Sequence, residues 1–394
     1  MHVHALLEGR PDYFFPLFIA NGVTGVRDMG GSLPSERINQ IRKEIADGRI
    51  LGPRFGAVAG RILDGPGGRL EVSVVVATAE EGRQLVQSSR RQGADFIKVY
   101  NLLPRDVYLA IVGEAKKQGM PVAGHVPFAM TAAEVSDLGQ KSIEHTTDLF
   151  TSCSRDEAAL RQELRERAQA QVQAGGDSNA ARMPVEVKAS ASYDERKAAD
   201  LFARFARNGT WQCPTLTVRR ANTSADLGQI DTDSRLKYIP PSVRDSWRKT
   251  FTQRIAPPAE MEQRKRRFQK TLEMVAAMQR AGVGILAGTD ILNPYVFPGF
   301  SLHDELALLV QAGLTPMEAL QAATVNPAKF LGLSSTLGTI EKGKIADLVL
   351  LEANPLEEIG NTQSIGAVVV NGRYLPKAAL QKMLAEAEAA ANKK

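Results

Sequence analysis

Gln92-Gly93-Ala94-Asp95-Phe96-Ile97-Lys98-Val99-Tyr100 closes a charged, helix-like stretch on a glycine and passes at once into an apolar, β-branched run. Glycine suits the left-handed residue that ends a helix, so the junction reads as a helix C-terminus feeding a strand. The same junction recurs at Asn21-Gly22, Gln118-Gly119, Leu138-Gly139, Asn208-Gly209 and Ala281-Gly282. Two further runs, His2-Val3-His4 and Arg54-Phe55-Gly56-Ala57-Val58, bring the strand candidates to eight, most of them separated by helical patterns such as Thr78 to Gln92 and Pro104 to Gln118. Alternating β and α units predict an α/β fold closed into a (β/α)8 TIM-like barrel. An open doubly wound sheet stays available, because periodicity does not register closure.

The barrel is expected to occupy residues 1–330, with two long connections running from Cys153 to Phe205 and from Val218 to Gln279. Both are rich in Arg, Glu, Gln and Ala, a composition that suits either a lid over the active face or a solvated helical ornament. After Thr324 the character changes. Leu337-Gly338-Thr339-Ile340, Leu348-Val349-Leu350-Leu351 and Ala367-Val368-Val369-Val370-Asn371-Gly372 read as short strands and turns of a small β-structure outside the barrel, over residues 331–376. Residues 377–394 read as a helix that frays into a tail.

A chain of 394 residues with 43% hydrophobic residues can bury a large core. Its 49 basic against 44 acidic residues are spread along the sequence, which argues against a nucleic-acid partner. Only Cys153 and Cys213 are present, so no disulfide framework supports the fold, although one bridge between the two stays open. No apolar run approaches the roughly 20 residues that span a bilayer, and no charged segment with an apolar region behind it precedes the fold. The expected partner is a small molecule, with self-association left open. A chemically loaded His-Val-His at the first residues leads us to expect further sequence upstream, which could include a signal peptide and a periplasmic or secreted location; the compartment itself is not fixed.

The chain has five histidines, and four of them fall at or near predicted strand ends, where a barrel carries its catalytic rim. His2 and His4 are two apart on a strand, so both imidazoles project from one face and can chelate one ion. His125 in Val122-Ala123-Gly124-His125 and His145 in Ser142-Ile143-Glu144-His145 each close a strand. Either alone reads as a hydrogen-bonded structural histidine; together the four offer neutral nitrogen ligands around one pore. Asp290 ends the apolar run Val283-Gly284-Ile285-Leu286-Ala287-Gly288-Thr289, where a carboxylate needs solvent, a cation or a helix to cap. Beside metals it could also take a proton from activated water. Lys98 lies in the middle of an apolar strand, where an ammonium is costly and demands a partner acid or a chemical change.

The order His-x-His, strand-embedded Lys, His, His and Gly-Thr-Asp resembles the amidohydrolase superfamily of metal-dependent hydrolases, most closely its imidazolonepropionase-related, prolidase-like bacterial branch. The segment Gly338-Thr339-Ile340 to Gly343-Lys344-Ile345-Ala346-Asp347 is similar to that family's closing β-structure, so the terminal strands would be part of a small β-sandwich that lacks its N-terminal portion. The resemblance implies a pair of divalent metals, zinc in the first instance, with manganese or cobalt suited to the same ligands. His2, His4 and Asp290 would hold the more buried ion and His125 and His145 the more exposed one. Lys98, carboxylated by carbon dioxide, would bridge them. A hydroxide shared by the ions would attack an amide bond of a dipeptide or N-acyl amino acid, and Asp290 would pass its proton to the leaving nitrogen. Tyr100 and His303 are substrate-contact candidates, although a rim aromatic such as the first is more often there for packing and the second is equally a cap of its helix. Lactone or phosphotriester hydrolysis, and a metal-binding barrel without turnover, remain alternatives. A phosphate-binding barrel isomerase is disfavoured, since neither Pro214-Thr215-Leu216 nor Ile291-Leu292-Asn293-Pro294 supplies a glycine-rich phosphate loop.

Overall fold

A computed structural model of the chain describes residues 1–6, 11–31, 33–221, 223, 231–291 and 293–393. Part of the second long connection, Leu292 and the terminal Lys394 therefore lie outside the described residues. Eleven strands are formed among the described residues. They are β1 (Gly25–Asp28), β2 (Arg54–Val58), β3 (Ile62–Asp64), β4 (Ser73–Val75), β5 (Ile97–Val99), β6 (Val122–Gly124), β7 (Ser142–Glu144), β8 (Trp211–Cys213), β9 (Leu348–Leu351), β10 (Ile365–Val370) and β11 (Arg373–Pro376).

β1 and β2 pair in parallel, and β5, β6, β7 and β8 pair in parallel in chain order. Parallel bridges Val3–Asp28, Ala59–Phe96 and Gln212–Ile285 join these into one ring. The ring is completed where Thr289 N and Asp290 N donate to His2 O at 3.1 and 2.7 Å. The eight segments so joined are the six that glycine junctions mark in the sequence together with the runs at His2–His4 and Arg54–Val58, and their parallel sense follows from the helix that returns each strand to the same end. β3 and β4 are additional. β3 continues from β2 past Gly60, pairs β5 through Leu63 and Val99, and carries β4 on its other side.

Helices Ala79–Arg91, Arg105–Lys117 and Ala132–Asp137 follow their strands closely. Thr78 and Thr131 start the first and third of these with reciprocal capping boxes to Glu81 and Glu134. Each long connection ends in an ordinary barrel helix. Glu195–Asn208 buries Ala198, Leu201, Phe202 and Phe205, and Pro258–Arg280 buries Phe268, Leu272 and Val275, all in the main core. The excursions proper are thus shorter than the charge-rich stretches in the sequence, and are made by Glu157–Gln173, Arg182–Ala191, Leu216–Ala221 and Pro241–Arg254.

The terminal strands form one antiparallel sheet in the order β11-β10-β9. Among the described residues it stands as a single layer rather than a two-layer β-sandwich, because its apolar residues Ile365, Val368 and Val370 pack against Ile19 and Leu380, which are helical. Leu380 belongs to Lys377–Ala391, which also buries Ala387 and Ala391 and so is docked along its length. Cys153 and Cys213 are buried free thiols, not a bridge. Among the described residues no helix is long and apolar enough to cross a membrane.

Candidate metal centre

Ring closure brings the two ends of the barrel sequence together. His2, His4 and Asp290 each offer a ligand atom, and these atoms lie within 4.8 Å of one another. His2 Nε2 and His4 Nε2 both stand 3.4 Å from Asp290 Oδ1, and His145 Nε2 stands 3.7 Å from Oδ2. Ring centroids of His2 and His145 are 4.4 Å apart, and those of His125 and His145 4.9 Å apart. The four strand-end imidazoles and Asp290 are thus neighbours.

Each imidazole is anchored by its other nitrogen. Nδ1 of His2 donates to Glu144 Oε2 at 2.7 Å, Nδ1 of His4 to Gly30 O at 2.6 Å, and Nδ1 of His125 to Asn101 Oδ1 at 2.8 Å. His145 Nδ1 lies 2.7 Å from Thr215 Oγ1, whose own proton goes to Pro214 O, so the hydroxyl oxygen accepts from the ring. With all four Nδ1–H groups committed, Nε2 is the atom that each imidazole, when neutral, offers to a cation. Burial, helped by the nearby Lys98 charge, holds His125 well below the usual imidazole range, and burial with the neighbouring His2 does the same for His145. Burial also works against charging His4, but the Asp290 carboxylate overcomes it and raises that imidazole. Asp290 is held well below the usual carboxylate range by His2 and His145, in spite of its burial.

Lone pairs and a carboxylate facing one another repel unless something positive lies between them. The observed 3.4 Å separations exceed the roughly 2.8 Å of a charge-assisted hydrogen bond. Two donors each ~2.1 Å from one tetrahedral ion would stand about 3.4 Å apart. His2 Nε2 is, in addition, a buried nitrogen with no hydrogen-bond partner. The donor set therefore fits a divalent cation. A second buried trio, His2, Glu144 and Cys213, also lies close together, but Glu144 is already bonded to Arg27, Ser142 and His2, and burial keeps the Cys213 thiol protonated.

Lys98 is 1% exposed at the centre of β5. Burial pushes its ammonium down to about 8 against the pull of Glu144 and Asp290. Tyr100 lies with its ring 4.1 Å from His125, and its hydroxyl accepts from Asn179 Nδ2. His303, by contrast, is not brought into the cluster. Its Nδ1 faces Thr362 Oγ1 at 3.0 Å, in the turn that precedes β10.

Several residues that hold the site carry no motif. Arg27 lies inside the barrel, 1% exposed, and donates through Nη2 to both Glu144 oxygens at 2.9 and 3.0 Å, so the carboxylate that orients His2 stays ionised. Asn293 Nδ2 donates to Asp290 Oδ2 at 2.8 Å. Glu305 accepts from Leu216 N and Thr217 N at 2.9 Å each, which seats the turn carrying Thr215. His145, Thr215 and Asp290 all have positive φ, of 59°, 48° and 53°. Non-glycine residues persist there only where the surroundings over-determine them, and such residues cluster at functional sites.

Residues 233–375, which include Asp290 and the terminal sheet, match the family model described as the amidohydrolase family. That stretch is therefore similar to the amidohydrolase family. Among curated relatives, the imidazolonepropionase of Pseudomonas savastanoi pv. phaseolicola is 44% identical over 79 residues, 20% of this chain and 20% of that one. The ochratoxinase of Aspergillus niger is 41% identical over 91 residues, 23% of this chain and 18% of that one. The chain thus spans about a fifth of the length of the curated relatives it matches. Solved structures match over nearly the whole chain. A bottromycin amidohydrolase gives a TM-score of 0.75 at 24% identity, covering 99% of this chain and 78% of the other. A Xaa-Pro dipeptidase with bound methionine gives 0.63 at 21% identity, covering 95% and 85%. These likenesses place the chain in a TIM-barrel type of α/β fold.

Proposed function

We propose that the chain is a binuclear-metal hydrolase that cleaves an amide C–N bond in a small substrate, a Xaa-Pro-like dipeptide or an N-acyl amino acid. His2, His4 and Asp290 would hold one divalent cation and His125 and His145 the other, with zinc the favoured metal for mixed nitrogen and oxygen donors. Lys98 would join them as a carbamate: its neutral amine adds to carbon dioxide, an N–C bond forms and one proton is released, turning a costly buried cation into an anionic ligand. When bound, such ions supply the activation of water and the polarisation of the scissile carbonyl.

The chain's own groups supply the rest. Asp290, kept ionised and oriented by Asn293, is placed to receive a proton on a carboxylate oxygen and return it to the leaving nitrogen. Tyr100 stays protonated because burial raises its pKa, and with its oxygen already accepting from Asn179 it can donate to the substrate carbonyl. A cavity of about 410 Å³ is lined by Thr217, Arg220, Arg235, Tyr295, Ser301 and Asp304, and Thr217 bonds to the carbonyl of Thr289 beside Asp290. Arg235 is committed to Asp233 and Asp304, whereas Arg220 is half exposed with Asp304 3.6 Å away, and would take a substrate carboxylate.

One observation carries this reading: four clustered imidazoles have their Nδ1 atoms engaged, and three of them, His2, His4 and His145, set Nε2 within 3.4–3.7 Å of the Asp290 carboxylate. The names of the relatives and structural neighbours, imidazolonepropionase, ochratoxinase and Xaa-Pro dipeptidase, support a carbon–nitrogen bond as the target. The test is elemental analysis of the purified chain with a panel of dipeptides and acylated amino acids, alongside Lys98→Ala. Two divalent ions per chain and cleavage of at least one panel member are expected, both lost in Lys98→Ala. Two ions without turnover would make the chain an inert metal-binding barrel, and full activity in Lys98→Ala would refute the bridge.

A further inference from the structure

The four imidazoles are not supported alike. His2 and His4 are anchored within the barrel, on Glu144 with Arg27 and on Gly30. His125 and His145 are tied instead to a buried ion cluster contributed by the long connections. Arg182 Nη2 donates to Asn101 Oδ1 at 2.7 Å, the same oxygen that receives His125 Nδ1–H, and to Val126 O at 3.0 Å. Arg219 Nη2 donates to the backbone oxygen of His145, while its Nη1 donates to Glu186 Oε2 at 2.7 Å. Arg267 Nη1 donates to that same Glu186 oxygen at 2.6 Å. Glu186 is 4% exposed, Arg267 0%, Arg182 7% and Arg219 9%, so four ionic groups from three helices are packed out of water.

Three guanidiniums surround a single carboxylate here. Burial opposes the charge on Glu186, but Arg219 and Arg267 hold it ionised. Removing that carboxylate would leave buried like charges facing one another, and the cheapest relief is for a guanidinium to move. Arg219 is the one whose movement matters, because it grips the carbonyl of His145, a residue at φ 59° that stays there only while its surroundings insist. Arg182, four residues before Glu186 on the same helix, holds the partner of His125.

We infer that Glu186 is a positioning residue for the His125/His145 pair, and that through Arg219 and its own helix it selectively sets how tightly that pair holds a cation. This rests on the two-cation assignment proposed above. The inference gives the charge-rich connections a role that neither a lid nor a solvated ornament describes, since they support one half of the centre from behind.

Equilibrium dialysis of the full chain against graded free Zn²⁺, followed by elemental analysis, separates the two binding steps. In Glu186→Gln the tighter step, assigned to His2, His4 and Asp290, is expected to be unchanged, while the dissociation constant of the other rises about 10- to 100-fold. His4→Ala serves as the opposite control, weakening the first step. A mere loss of packing would weaken both steps together in Glu186→Gln; that result, or no shift in either, overturns the inference while leaving two-cation binding intact. Should Glu186→Gln fail to fold, Arg182→Met removes the one nitrogen, Nη2, that donates to both Asn101 Oδ1 and Val126 O, and carries the same expectation for the second step. A wild-type chain that binds no Zn²⁺ would instead overturn the metal assignment, and this inference with it.

Discussion

At the scale of the residue, the site is a set of donors whose protonation is decided by their neighbours. Asp290 would both help to hold one cation and carry the proton, so Asp290→Asn is expected to lower kcat by at least about 10²–10⁴-fold, the range attached to a single acid–base group. Steady-state kinetics on a cleaved panel substrate checks this, and a fall of less than tenfold would remove Asp290 from the chemistry. Arg220→Met should raise KM for a carboxylate-bearing substrate while kcat changes little; an equal fall in kcat would mean that the cavity does not bind the ground state. His303 gives a pH prediction away from the centre. Burial holds its imidazole down to about 4, from an ordinary 6.5. The unfolded chain therefore takes up this proton as pH falls below 6.5, whereas the folded chain resists until about 4. Its contribution is full above 6.5 and is lost across that window, up to about 3 kcal/mol. His303→Gln should flatten the dependence of the urea midpoint on pH between 4 and 6.5, and an unchanged slope would contradict it. The residues that cluster could be named in the sequence, because His-x-His and the strand-end His, His and Asp fall where a barrel displays its rim. Their anchors could not. Glu144, Asn101, Thr215 and the Gly30 carbonyl belong to other strands or to the backbone, and nothing in their local sequence marks the imidazole that each receives.

At the scale of the element, the site depends on how closely neighbouring strands approach. Gly124, the last residue of β6, has φ +139°, and a Cβ there would stand 2.2 Å from Val99 O of β5. Any side chain forces those strands apart one residue before His125. Gly124→Ala is expected to cost about 3 kcal/mol or more, in the range of strained backbone positions and core overpacking, and to weaken cation binding at His125. Calorimetry with metal analysis tests both, and a variant as stable and as metal-replete as the parent would show that the approach is not needed. Six glycine junctions, with the runs at His2–His4 and Arg54–Val58, made the eight barrel segments legible. β3 and β4 were not, since three residues each give too little pattern to set them apart from the loop around Gly60, Gly65 and Gly68. The barrel helices that end the long connections were hidden for another reason: their charged outer faces dominate the composition, while residues such as Leu201, Phe202 and Phe205 carry the inner face.

At the scale of the whole molecule, the proposed cations would tie the first strand segment to the last one, because His2 and Asp290 meet only when the ring is closed. Closure was beyond periodicity, which describes strands one at a time. It became visible only in the bridges and in the His2 carbonyl that receives two backbone N–H groups. Binding to the closed form alone stabilises it by mass action, by about 4 kcal/mol for each ion at a thousandfold excess over its dissociation constant. Chelation is accordingly expected to lower the Tm by several degrees and Zn²⁺ to restore it; indifference to both would mean that no cation bridges the ends. The most direct measurement is anomalous diffraction from Zn²⁺-grown crystals, recorded on both sides of the metal absorption edge. Two peaks are predicted, one among His2, His4 and Asp290 and one beside His125 and His145, with continuous density from Lys98 reaching both. A map with no peak there, or with peaks only at surface carboxylates, would contradict the account.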